Sequence, residues 1–123
     1  MSTIKKWLPA VIMMAIIFLL SSIPGKSITQ AGLGYDPYQI SGHFVFFFIL
    51  YLTFYRATKS ILLSLLLTVI YAVADELHQL YTPGRSSSMK DIITDTLAGV
   101  VAGGILWSSY QRLPKILKKL LKA

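Results

Sequence analysis

Four apolar segments, separated by short polar stretches, make up most of the 123-residue chain. They run over 7–23, 40–55, 61–81 and 92–110. A helix needs roughly 17–25 residues to cross a hydrocarbon core of about 30 Å, and each segment is near the lower limit if its polar ends are interfacial. The pattern therefore predicts an all-α fold, an integral membrane four-helix bundle.

Composition supports a membrane protein. The chain is 54% hydrophobic and 14% charged, which is too apolar for a soluble domain of this length. We expect one transmembrane domain over residues 1–110 and a separate cytoplasmic tail over 111–123. Cysteine is absent from the sequence, which excludes disulfide and thiol chemistry.

The net charge of +7 comes from twelve Lys and Arg against five Asp and Glu. The basic residues lie between the apolar segments and at the two ends, without a stripe of aromatic residues, so we expect no nucleic-acid partner. The N-terminus, the second loop and the C-terminus hold nine of the twelve, and the first and third loops hold three. The positive-inside rule then predicts a multi-pass cell-membrane protein with both termini in the cytoplasm.

The residues after Pro114 divide into an apolar and a basic side when they are placed on a helix. The two sets are Ile116, Leu117, Leu120 and Leu121 on one side, and Lys115, Lys118, Lys119 and Lys122 on the other. This pattern predicts a basic amphipathic helix on the anionic cytoplasmic surface of the bilayer. A peptide that docks onto a protein is the alternative.

The acidic residues are concentrated, because four of the five lie between residues 75 and 95. Asp75, His78 and Gln79 are spaced i, i+3 and i+4, so they share one face of helix 3. Asp91 and Asp95 are one turn apart, and their stripe continues through Gly99 and Gly103. This spacing lets another helix backbone approach closely. We therefore expect Asp95 to point into the bundle rather than towards lipid.

The predicted topology brings polar residues from all four helices to the outer membrane face. The catalytic candidates, which are acid–base groups, are Asp75, Glu76, His78, His43 and Asp95. The candidates for substrate binding are Arg85, Gln79, Asp91 and Ser22. His43 is expected to open helix 2. Arg85 follows the turn formed by Pro83 and Gly84, where its guanidinium can grip a phosphate or carboxylate through two parallel hydrogen bonds.

Two interpretations of this acidic cluster stay open, a functional site and a set of ion pairs that lock the helices together. A carboxylate at the bilayer centre costs about 2.5–3.5 kcal/mol, so charged residues there are rarely idle. In the second interpretation, Asp75 or Glu76 pairs with Arg85, while Asp91 and Asp95 bond to the loop or to the serines of helix 1. The four carboxylates outnumber the nearby cations, Arg85 and Lys90. The surplus charge is relieved by protonation, by a divalent cation (Mg²⁺, Ca²⁺ or Mn²⁺) or by a ligand that carries an amine.

The ordered combination of these motifs resembles the VanZ-like family. It consists of Ser21-Ser22-x-Pro24, His43-Phe44, Asp75-Glu76-x-His78-Gln79, Pro83-Gly84-Arg85, Asp91, and Asp95-x-x-x-Gly99. The resemblance covers the chain from about Ser21 to Gly104. It implies a small multi-pass membrane protein, and the name-giving member is associated with reduced susceptibility to the glycopeptide antibiotic teicoplanin. It implies a location and a phenotype more than a reaction.

The residues favour a protein that binds or acts on a cell-envelope or lipid-linked anionic substrate at the outer face. Without a cysteine, a catalysed reaction would use water as the nucleophile. A small transporter is one alternative, and it would need polar residues through the full depth of the membrane. A non-catalytic membrane interaction protein, whose polar cluster is structural, is the other.

Overall fold

The structure is a computed structural model that describes residues 2–22, 36–81, 89–109 and 115–122. These residues form five helices and no strand, which confirms the all-α prediction for the described part of the chain. The helices are α1 (Thr3–Ser21), α2 (Asp36–Thr58), α3 (Ile61–Gln79), α4 (Met89–Ser109) and α5 (Lys115–Lys122).

Serine side chains cap two of the helices at their N-termini. Ser2 accepts a hydrogen bond from the Lys5 backbone N–H at 3.3 Å, and Ser60 accepts one from the Leu63 backbone N–H at 3.1 Å. Such caps satisfy amide groups that have no partner within the first helical turn. Lys59 has a φ of 58°, in the left-handed region, and this lets the chain reverse between α2 and α3 within two residues.

The second helix is central, because α2 packs against α1, α3, α4 and α5. Its buried side chains are Phe47, Leu50, Tyr51 and Phe54. By contrast, large apolar side chains are exposed along the outer sides of α1, α3 and α4. An apolar surface of this extent is expected where a bilayer covers the protein.

The glycine stripe of α4 is a packing face, as predicted. Ala98 and Ala102 are fully buried beside it. A Cβ atom on Gly99 would lie 3.2 Å from Leu65 Cδ1, and one on Gly103 would lie 2.9 Å from the Tyr51 hydroxyl. The small residues of α4 therefore allow α2 and α3 to approach its backbone closely.

Three helices of the described ranges are long and apolar enough to cross a membrane: Thr3–Ser21, Ile61–Gln79 and Asp91–Ser108. They indicate a membrane protein. The remaining long helix, α2, has 23 residues.

The prediction that His43 opens helix 2 is wrong. The helix begins at Asp36, so His43 lies about two turns inside it. Pro37 is compatible with this earlier start, because proline is tolerated in a first helical turn, where its missing N–H would have no partner. The first turns of α2 are polar. They were missed because the prediction followed the apolar pattern, which begins only at Ile40.

The predicted tail helix is present as α5, and it packs against the C-terminal end of α2. Arg56 Nη1 donates a hydrogen bond to the Leu120 carbonyl at 2.8 Å. Leu117 packs against the buried cluster that includes Tyr51 and Leu106, whereas Ile116 remains exposed.

Candidate functional site

Polar side chains from four helices meet at one end of the packed helices. They come from the C-terminal ends of α1 and α3, from the N-terminal half of α2 and from the first turns of α4. Those that are buried are Ser21, Asp75, Glu76, Gln79 and Asp95. Burial of so many polar groups is costly unless they are hydrogen-bonded or bind a ligand.

The α3 residues of this cluster follow the helical period. Ala72, Asp75, Glu76 and Gln79 are buried, while Leu77 is exposed. This i, i+3, i+4, i+7 spacing forms one face of a helix. The predicted face of Asp75, His78 and Gln79 therefore includes Glu76 as well, and His78, which is half-buried, lies at its edge.

Buried and half-buried side chains form hydrogen bonds between α3 and α1. The Ser21 hydroxyl donates to Asp75 Oδ1 at 2.5 Å, and the Tyr71 hydroxyl donates to the Met14 carbonyl at 2.5 Å. The sequence interpretation placed Ser21 at the end of helix 1 but did not include it among the site residues. The signal for it was a hydroxyl pair, Ser21 and Ser22, directly after an apolar run.

Ser22 contacts His78, but its geometry is not that of an activated nucleophile. Ser22 Oγ lies 2.8 Å from His78 Nε2 and also donates to the Phe18 carbonyl at 2.8 Å. A hydroxyl has one proton and a carbonyl can only accept, so the imidazole N–H is the donor to Ser22. The His78 ring also stacks on Phe18, with centroids 4.1 Å apart. These contacts orient His78 against the end of α1.

His43 and Asp95 form a pair between α2 and α4. His43 Nδ1 lies 3.0 Å from Asp95 Oδ1. Asp95 is fully buried, which confirms that it points into the protein. Its second oxygen, Oδ2, is buried and has no hydrogen-bond partner within the described residues. A buried carboxylate oxygen without a partner is rare in folded proteins.

Asp75 lies beside this pair. One ligand atom each from His43, Asp75 and Asp95 can be chosen so that all three lie within 4.8 Å of one another. The three residues come from three different helices, α2, α3 and α4. This convergence brings together an imidazole and two carboxylates, a set that can bind a cation or move a proton.

Three other predicted site residues, Glu76, Gln79 and Asp91, lie on the same helices as Asp75 and Asp95. Glu76 and Gln79 are buried on the same face of α3, and Gln79 Nε2 has no hydrogen-bond partner within the described ranges. Asp91 is half-buried one turn before Asp95. Arg85 lies outside the described residues, so its ion pairs and its role stay predictions.

The helix-locking interpretation paired Asp75 or Glu76 with Arg85, and that pairing lies outside the described residues. The bond that it expected between Asp95 and a serine of helix 1 is not the one observed. Asp95 bonds to His43 of α2 rather than to a serine of α1. The α1 serine bonds to Asp75 instead. The helices are rotated so that α3, and not α4, presents its carboxylate to α1.

One comparison with known proteins supports the family resemblance seen in the sequence. The family model described as VanZ/LLP1 matches residues 6–111, which include every candidate residue of the site. Neither the curated proteins nor the solved structures contain a match to this chain. The family match covers most of the sequence, and the chain therefore belongs to the VanZ/LLP1 family.

Proposed function

We propose that this membrane protein binds or acts on an anionic lipid-linked or cell-envelope substrate at a polar site on the outer membrane face. The observation that supports this most is the convergence of His43, Asp75 and Asp95 within 4.8 Å. Three helices contribute one group each, in a protein whose outer surface is largely apolar. Polar residues that are buried within a membrane protein commonly mark the path or the site of a substrate.

The proposed topology is a four-helix bundle over residues 1–110, with both termini in the cytoplasm and a tail over 111–123. Nine of the twelve Lys and Arg belong to the segments that this topology places inside. His43 and Arg56 are separated along α2 by thirteen residues, or about 20 Å of helix. The basic connection at Lys59 and the basic helix α5 therefore lie far from the polar site, which supports an inner and an outer end.

The chemistry of the site suits acid–base work on a phosphate or carboxylate substrate. The His43–Asp95 pair resembles the histidine–carboxylate pairs in which the acid orients the imidazole for proton transfer. The Ser22 hydroxyl is already hydrogen-bonded to Phe18, so water is the proposed nucleophile. Arg85, in the neighbouring loop sequence, is proposed to hold the anionic group of the substrate.

A transporter is less well supported, because buried hydroxyl groups of the opposite half already have hydrogen-bond partners within the protein. Ser64 donates to the Ser60 carbonyl at 2.6 Å, and Thr68 donates to the Ser64 carbonyl at 2.8 Å. A polar path across the membrane needs groups that are available to a passing solute.

A structural role is the second candidate, and specific contacts favour it. The Ser21–Asp75 and His43–Asp95 bonds connect α1 to α3 and α2 to α4. Such bonds can hold helices in register without any substrate. This candidate predicts that loss of a carboxylate reduces the amount of folded protein, whereas a substrate site predicts loss of function in a folded protein.

The test uses purified full-length protein in vesicles that contain phosphatidic acid or a polyprenyl diphosphate. Binding of the lipid phosphate and release of inorganic phosphate are measured for the wild type, Arg85→Lys and Arg85→Ala. If Arg85 holds the phosphate through two parallel hydrogen bonds, lysine cannot replace it, and both variants should lose binding to a similar extent.

Lys26→Ala is the matched control, because it removes a positive charge from the other proposed outer loop. It should bind lipid phosphate as the wild type does. A fully active Arg85→Lys variant would remove the anion-binding role of Arg85. Absence of both binding and release with either phosphate lipid would contradict the proposed function itself.

A further inference from the structure

We propose that a divalent cation binds between His43, Asp75 and Asp95. The site is the polar site of the proposed function, and the role of the ion rests on that function. An acidic site repels an anionic substrate. A cation held by the two carboxylates would reverse the local charge and leave coordination positions for a phosphate or a water molecule.

The distances suit an ion of the size of Mg²⁺ or Mn²⁺. Ligands about 2.1 Å from an octahedral ion lie roughly 3.0 Å apart when adjacent and about 4.2 Å apart when opposite. His43 Nδ1 and Asp95 Oδ1 are already 3.0 Å apart. The whole set lies within 4.8 Å, so the widest pair must close by about 0.6 Å to become opposite ligands, or by about 1.8 Å to become adjacent ones.

The buried oxygen of Asp95 is an independent indication of a ligand. The Asp95 side chain is fully buried, and its Oδ2 atom has no hydrogen-bond partner within the described residues. Leaving such a group unsatisfied is destabilising, and more so when it is charged. A cation in the group of three would give this carboxylate a partner and offset that cost.

The ligand set identifies the class of ion. Two carboxylates and one imidazole are harder ligands than the thiolates that select Cu⁺ or Zn²⁺, and carboxylate and water ligands suit Mg²⁺ and Mn²⁺. The imidazole favours Mn²⁺ of these two, because Mg²⁺ strongly prefers oxygen. The His43 nitrogen that faces Asp95 must lose its proton to bind the ion, so the cation would replace the His43–Asp95 hydrogen bond.

The three proposed ligands come from three different helices, so the ion would be bound between helices rather than by a motif on one helix. His43, Asp75 and Asp95 lie on α2, α3 and α4, and these three helices pack against one another. The Ser21 hydroxyl donates to Asp75 Oδ1, and a hydrogen bond of this kind orients a ligating carboxylate. The α1 serine is therefore a positioning residue in this proposal.

The experiment titrates Mn²⁺ into full-length protein that has been purified in detergent and treated with a chelator. Electron paramagnetic resonance of free Mn²⁺ measures the bound ion, and the wild type is expected to bind one ion per chain. Loss of a group that merely orients a ligand costs about 10–100-fold in affinity. Asp95→Asn and Asp75→Asn should therefore weaken the Mn²⁺ Kd by about 100-fold or more.

Two further variants keep the test informative if an Asn variant folds poorly. Gln at position 43 retains a donor for Asp95 but is a poor metal ligand, so His43→Gln should fold and lose Mn²⁺ binding. Asp91→Asn removes the same charge one turn from Asp95 and outside the group of three, so its Kd should change by less than about tenfold. Mn²⁺ should also raise the Tm of the wild type but not that of His43→Gln.

The proposal is overturned if the wild type binds no Mn²⁺ or if His43→Gln binds it as tightly as the wild type. It is also overturned if Asp91→Asn loses as much affinity as Asp95→Asn, because the attraction would then be diffuse. Lipid-phosphate binding without Mn²⁺ binding would contradict the cation and leave the proposed function standing. Mn²⁺ binding with no effect on any phosphate lipid would contradict the proposed function and leave the cation site standing.

Discussion

His43 Nδ1 and Asp95 Oδ1 lie 3.0 Å apart and join two helices at positions separated by 52 residues in the sequence. Asp95 is fully buried, whereas the His43 side chain remains 15% exposed. The imidazole thus forms the more accessible side of the pair. If this contact contributes to folding, removal of one partner should destabilise the protein more than removal of both.

A double-mutant cycle of this pair tests that relationship. In His43→Ala, the buried Asp95 carboxylate loses its hydrogen-bond partner, and an unsatisfied buried polar group costs about 1–3 kcal/mol. We expect a clear decrease in Tm for His43→Ala, and a smaller further decrease, or a recovery, when Asp95→Ala is added. Thermal unfolding in detergent measures the three variants and the wild type. Strictly additive effects would mean that the two side chains do not interact.

The acidic residues should matter for function more than for folding. Asp75→Asn, Glu76→Gln and Asp95→Asn keep side-chain volume and most hydrogen bonds while removing charge. Each should abolish the change in glycopeptide susceptibility that the family resemblance leads us to expect, with near-normal membrane abundance. Growth inhibition by teicoplanin and immunoblots of membranes are the measurements.

The matched control for the acidic set is Asp36→Asn, the same chemical change at the one acidic residue outside 75–95. It should retain the wild-type susceptibility. Variants that disappear from the membrane would instead support the structural role of the cluster.

Orientation can be tested independently of function. Single cysteines are introduced at Gln30, Ser87 and Ala123 into a chain that has no natural cysteine. The Lys and Arg distribution predicts that the first two react with an impermeant thiol reagent in intact cells, while the third reacts only after lysis. Labelling of the Ala123 position from outside would reverse the topology, and with it the outer location of the site.

The sequence predicted the helices well because their apolar segments are long and continuous. It missed the beginning of α2, since the turns from Asp36 to Ile40 are polar and carry no apolar period. The chemistry of the site was also visible, as four of the five acidic residues lie within one stretch. The hydrogen-bond partners of these residues could not be predicted, because pairs such as Ser21–Asp75 depend on how each helix is rotated about its axis. Local sequence does not determine that rotation.

The close approach of Gly103 to Tyr51 gives a prediction about stability that is free of any assumption about function. A Cβ on Gly103 would lie 2.9 Å from the Tyr51 hydroxyl, which donates to the Ile61 carbonyl at 2.9 Å, whereas one on Gly104 would contact nothing within 4 Å. Both Gly→Ala changes gain the same helix propensity, about 1 kcal/mol. Overpacking costs about 1–3 kcal/mol, so Gly103→Ala should be less stable than Gly104→Ala by that amount. Equal Tm values in detergent would show that α4 does not pack against Tyr51 in this way.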